Sequence, residues 1–114
     1  DERCACVICV GYGAEKPSRH KPKTFPQVTK VPTGMDVPEW FRRGADAALY
    51  APTAVNQQKF CLCLGADGKS VSAKDGFGVY TKIDLGIARA NFTLGAGSSS
   101  FKWADWPEKY TIII

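Results

Sequence analysis

The apolar positions of this chain fall into two rhythms, one suited to strands and one to helices. Arg3–Val10 (RCACVICV) is a compact apolar run closed by Gly11-Tyr12-Gly13. Its length and its valine and isoleucine content predict a buried strand. Ala14–Pro38 holds five prolines and many basic residues with little periodicity, and reads as a connector that wraps a surface. Asp36–Tyr50 has helical spacing, with Trp40, Phe41, Ala45, Ala48 and Leu49 on one face. Asp36 is expected to cap it, and Glu39 three residues on to complete a capping box. Pro38 is tolerable only in the first turn, and Pro52 disfavours helix at Ala51, so the helix should stop there.

Lys59–Leu64 and Ser70–Ala73 read as the two strands of a hairpin around the turn signal Gly65-Ala66-Asp67-Gly68. Gly76-Phe77-Gly78 is a link, and Thr81 is expected to cap a second helix over Lys82–Gly95. Gly86, Ala88, Ala90, Gly95 and Ala96 make that helix thin. Each internal Gly costs it roughly 1 kcal/mol relative to Ala, so it depends on tertiary packing. Gly97-Ser98-Ser99-Ser100 ends it. The tail then carries Phe101, Trp103, Trp106, Tyr110 and a final Thr-Ile-Ile-Ile. Such an ending has strong β-propensity and is expected to pair with another strand.

Composition adds bounds. At 114 residues the chain suits one domain at most. With 45% hydrophobic and 23% charged residues it fits an ordinary globular protein. A net charge of +4 favours an anionic ligand without demanding nucleic acid. No apolar run is long enough to span a membrane, and no signal peptide is visible. The chain does not begin with Met and enters an apolar pattern at once, which reads as a cut chain, with a processed or engineered terminus as the alternative. Five cysteines are an odd number, and they sit inside apolar runs. They read as reduced, and the compartment as cytoplasmic.

The segment with the most chemistry is Ala51-Pro52-Thr53-Ala54-Val55-Asn56-Gln57-Gln58-Lys59-Phe60, between the first helix and the hairpin. A turn there offers backbone N–H groups, a hydroxyl and carboxamides at one edge of a sheet. That is a place to hold a flat, polar-edged ligand. This string resembles the Ala-Pro-Ser-x-x-Asn-x-Gln-Pro-Trp segment of FMN-dependent nitroreductases. Val10–Pro17 resembles the family's strand-end Gly-Tyr-Pro-x-x-Lys-Pro, followed here by Arg19-His20-Lys21-Pro22-Lys23. Asp84-Leu85-Gly86-Ile87-Ala88 resembles the opening of the family's central dimer helix.

The order differs from an ordinary nitroreductase, because the Gly-Tyr strand precedes the Asn turn. It suits the single-chain, internally duplicated nitroreductase-like proteins, whose two halves form a pseudo-dimer. The resemblance implies a partial α+β nitroreductase-like fold, with an antiparallel or mixed sheet flanked by helices. Residues 1–13 would be a strand of the preceding half, 14–35 a basic connector and 36–114 most of the C-terminal half. It implies FMN as cofactor, held between two halves. NAD(P)H would be the reductant, nitro-aromatics or quinones the acceptors, and a missing N-terminal half or another chain the partner. Pro52, Thr53, Ala54 and Asn56 would line the ring or ribityl chain, with Gln57 and Gln58 weaker candidates. Lys21 and Lys23, with Arg19, would bind the phosphate. The family's N-terminal arginine-rich segment has no counterpart here, Gly13 replaces the usual Pro, and Lys59 stands where Pro-Trp is common.

Other readings carry less. Short basic runs are often solvated loops, and no stacking aromatics interleave with this one to suggest nucleic acid. Cys4, Cys6, Cys9, Cys61 and Cys63 lack zinc-knuckle spacing and alternate with apolar residues, as small buried hydrophobes do. A cysteine-rich metal-binding module is therefore the lesser alternative, beside a non-catalytic flavin-binding or structural half. His20 is the single histidine, so a hydrolytic triad has no support. Asp84 and Arg89 read as capping and decorating the second helix. Trp103, Trp106 and Tyr110 read as packing residues before flavin covers.

Overall fold

The computed structural model describes residues 2–18 and 20–105. The connector contains more structure than its prolines suggest. Helix α1 (Phe25–Val28) is one turn long, with the Thr24 N–H donating to Gln27 Oε1 at 2.8 Å. Strand β1 (Thr29–Lys30) follows directly. Helix α2 spans Glu39–Ala48 and begins at Pro38, whose φ of −61° and ψ of 143° make it the N-cap. Asp36 therefore lies two residues too early to cap, and the expected capping box is not formed. Leu49, Tyr50 and Ala51 close the end with backbone bonds to Ala45, Ala47 and Ala48, and Pro52 stops further winding.

The hairpin forms as expected, with β2 at Phe60–Leu64 and β3 at Ser70–Asp75 in antiparallel register. Strand β4 (Lys102–Trp103) pairs parallel with β3, and β1 pairs parallel with β2. The sheet is thus mixed, in the order β1-β2-β3-β4. Phe60, Leu62 and Leu64 alternate with half-buried Cys61 and Cys63, so one face of β2 meets the core. Helix α3 spans Thr81–Ala96 and ends at Gly97, whose φ is 87°. Its N-cap is Tyr80 in left-handed conformation rather than Thr81. The Thr81 hydroxyl bonds Asp75 Oδ2 at 3.0 Å instead.

Helices α2 and α3 pack closely because two glycines remove side chains at their crossing. A Cβ on Gly44 would come within 2.7 Å of the Phe92 ring, and one on Gly95 within 2.5 Å of Ala47 Cβ. Phe92 centres an aromatic cluster, 5.6 Å from Phe41, 5.1 Å from Phe101 and 5.4 Å from Trp103 between ring centroids. Arg89 is not surface decoration. It is buried, lies 4.7 Å over the Trp103 ring, and bonds Asp105 at 2.9 Å and the Ala73 carbonyl at 3.1 Å. It ties α3 to β3 and to the end of β4. Trp103 is a packing residue, as expected, while Trp106, Tyr110 and the Thr111–Ile114 ending lie outside the described residues.

The strand expected at Arg3–Val10 is not formed. Residues 2–18 carry no regular structure, and Val7, Ile8, Val10 and Tyr12 are exposed. A strand needs a hydrogen-bonded neighbour as well as an apolar pattern, and none of the four strands of the sheet pairs with this segment. Cys4, Cys6 and Cys9 are accordingly exposed rather than buried, and all five cysteines are free thiols. No helix among the described residues is long and apolar enough to cross a membrane.

Candidate functional site

After α2 the chain passes through extended Thr53 into a single 3-10 turn, Ala54–Asn56. Val55 (φ 45°), Asn56 (φ 53°) and Gln58 (φ 46°) all take left-handed conformations. Asn tolerates this region, but a β-branched valine there is a true outlier. Each such residue costs on the order of 1–3 kcal/mol and persists only where its surroundings over-determine it.

Three sets of bonds do so. Within the turn, the Asn56 N–H reaches the Thr53 carbonyl at 3.0 Å, and the Gln57 N–H reaches that of Ala54 at 2.9 Å. The Gln58 N–H donates to the Thr53 hydroxyl at 3.0 Å. From α3, buried Asp84 accepts the Ala54 N–H at 3.0 Å and the Gln57 carboxamide at 2.7 Å. The same Gln57 nitrogen donates to the Val79 carbonyl at 2.8 Å.

The third set comes from the connector and converges on Gln58, which is only 3% exposed. Its Oε1 accepts the Lys23 N–H at 2.8 Å, and its backbone carbonyl accepts Lys23 Nζ at 2.9 Å. Its Nε2 donates to the Lys21 carbonyl and to Asn56 Oδ1, both at 2.9 Å. The basic connector and the turn, 35 residues apart for the Lys23–Gln58 pair, are therefore one structure.

The residues singled out from sequence fall into two groups. Pro52 and Asn56 are exposed, Thr53 and Ala54 are half-buried beside them, and Val55 stands almost fully in solvent at 96% exposure. Lys21 is exposed on the same composite surface. Gln57 and Lys23 instead direct their polar groups inward, onto Asp84 and Gln58. Arg19 lies outside the described residues. Sequence reasoning ranked Gln58 as a weak candidate and gave Asp84 no part in the turn. No local signal marks either one, because their roles come from contacts across 37 and 30 residues.

Along the connector, Ser18, His20 and Pro22 alternate with Lys21 and Lys23. These three line a cavity of about 570 Å³ with Asp46, Leu49 and Tyr50 at the end of α2. His20 Nε2 donates to the Leu49 carbonyl there at 2.9 Å. Among the described residues, none of those expected to hold a cofactor lines this cavity, so it stands apart from the turn. Among the described residues no group of three or more His, Cys, Asp or Glu side chains is arranged to hold a metal ion.

Over residues 1–96 the chain matches the protein family described as Putative TM nitroreductase. No curated protein and no solved structure matches it. The matched span takes in the connector, the Asn turn and all of α3, which together build the surface just described. On that match, with an α+β fold and a mixed sheet to go with it, the chain belongs to the nitroreductase family of oxidoreductases.

Proposed function

We propose that this chain supplies one wall of an FMN site in an oxidoreductase that reduces nitro-aromatics or quinones with NAD(P)H. The observation that carries this reading is the meeting of the connector with the strained turn through Gln58. Two motifs far apart in sequence, each resembling a flavin-contacting segment, lie on one surface. The residues present fit such a group. Pro52 and Val55 offer apolar contact, and the exposed Asn56 carboxamide, whose Oδ1 accepts from Gln58 and whose Nδ2 reaches toward the Lys21 carbonyl, keeps a second lone pair and a second N–H for a polar ring edge. Lys21 provides a point charge for a phosphate, with Arg19 beside it in sequence. Lys23 serves by holding the turn. When bound, a flavin supplies the redox chemistry, and the protein supplies binding, orientation and electrostatics. Nearby lysine charge favours the anionic form of a reduced cofactor. No side chain is required as nucleophile or general base.

The other wall belongs to a second nitroreductase-like half, in the same polypeptide or in another chain, with residues 1–13 as a strand of that half. The whole acts in the cytoplasm in this reading. A second reading, a non-catalytic flavin-binding half, is favoured by one observation: Gln57 and Lys23 spend their donors on the turn itself.

The test is titration of the chain with FMN, followed by visible absorbance. Asn56→Ala should weaken binding by about 2- to 10-fold, the worth of one hydrogen bond. Unchanged affinity removes Asn56 from the site, and a wild-type chain that takes up no FMN even when joined to a second nitroreductase-like half counts against the whole reading. NADH or NADPH turnover with a nitro-aromatic then separates the catalytic half from the non-catalytic one.

A further inference from the structure

We infer that Asp84 is a positioning residue for the ligand-contacting turn, acting from helix α3 without touching the ligand. The inference rests on the flavin reading of that turn. Asp84 is 4% exposed and sits in the first turn of α3. A carboxylate there favours the helix end electrostatically, yet its side-chain bonds run elsewhere. Oδ1 accepts the Ala54 N–H at 3.0 Å, and Oδ2 accepts the Gln57 carboxamide at 2.7 Å.

These two donors bracket Val55 and Asn56, both in left-handed conformation. One carboxylate, set on a helix, thus grips the turn on either side of a left-handed pair that includes the strained Val55. Rotation of Val55 into an ordinary conformation would carry the Ala54 N–H or the Gln57 side chain away from Asp84. The exposed lip of the site is held in place by a residue behind it. Such support from a regular element is what keeps a binding group within the narrow tolerance that recognition needs.

Asp84→Asn isolates the effect, because an amide keeps the shape but presents an NH₂ to one of the two donors. Two readouts are needed on the full chain: FMN affinity, and hydrogen exchange at the Ala54 amide relative to core amides such as Leu62 and Phe92. The variant should bind FMN about tenfold more weakly, the scale of one hydrogen bond to a charged group. Exchange at Ala54 should quicken while the core stays protected.

Should Asp84→Asn fail to fold, Gln57→Met removes the carboxamide's bonds to Asp84 and to the Val79 carbonyl from a half-buried position and carries the same expectations, a few-fold in size. Unchanged FMN affinity with unchanged Ala54 exchange overturns the inference while leaving the flavin reading intact. Equal loss of protection at Ala54 and throughout the core also overturns it, since Asp84 would then be a general structural residue. If the wild-type chain takes up no FMN even when joined to a second nitroreductase-like half, the flavin reading fails, and the exchange measurement alone decides whether Asp84 holds the turn.

Discussion

Asp67 shows how much one oxygen atom does in a chain this small. Its Oδ1 accepts the Lys69 N–H at 2.9 Å, the Ser70 N–H at 2.9 Å and the Ser70 hydroxyl at 2.8 Å. These bonds, that from Lys69 foremost, favour the ionised form and lower the carboxyl below its usual range. The sign follows from linkage. A depressed folded-state value adds stability above the unfolded value, and that stability is lost as pH falls through the folded one. Carboxyl NMR should place the Asp67 titration below the ordinary value of about 3.9. The Lys69 and Ser70 amides should lose protection over the same interval. A titration at the ordinary value would show that the turn does not depend on the charge. Cys61 moves the opposite way, as partial burial and then neighbouring Cys63 raise it. The turn residue Asp67 was legible in sequence, since Asp beside Gly marks such loops. Asp84 was not, because the same residue type at a helix start has a sufficient local explanation.

At the scale of elements, the α2–α3 contact turns on which glycines face a neighbour. Gly95 lies against Ala47 and the Arg43 carbonyl, whereas among the described residues nothing approaches within 4 Å of a Cβ on Gly86. Gly86→Ala should therefore stabilise by up to about 1 kcal/mol through helix propensity. Gly95→Ala should destabilise, because overpacking costs about 1–3 kcal/mol and outweighs the same gain. Thermal unfolding reads both, at about 4–8 °C per kcal/mol for a domain this size. A rise in Tm for both variants would mean that propensity alone governs the helix. The thinness of α3 was legible from its small residues, and so were the hairpin and the stop at Pro52. The fate of Arg3–Val10 was not. An apolar pattern specifies a face to bury, but the partner that supplies its hydrogen bonds is a property of the whole assembly. The short β1 and β4 were illegible for a related reason: two residues carry no period, and each exists because a longer strand lies beside it.

At the scale of the molecule, the site is a joint between distant segments. The family resemblance named both segments, yet spacing along the chain gave no sign that a glutamine would join them. Gln58→Ala should test that joint. It removes the side-chain bonds to Lys21, Lys23 and Asn56 from a buried position, and unmet buried partners cost about 1–3 kcal/mol. Amides of residues 20–23 should exchange faster while β2 and β3 remain protected. Uniform protection would show that the connector is held by other contacts. The joint has a kinetic consequence as well. Residues 23 and 58 are separated by α1, β1 and α2, so closing the joint carries the entropy cost of a loop of 35 residues, and such a long-range contact is expected late in folding. A ligand seated across it would act as a clasp on the closed loop. It would raise the unfolding temperature with the logarithm of the free ligand concentration above its Kd, and would slow proteolytic cutting of the connector before any effect reached the aromatic core.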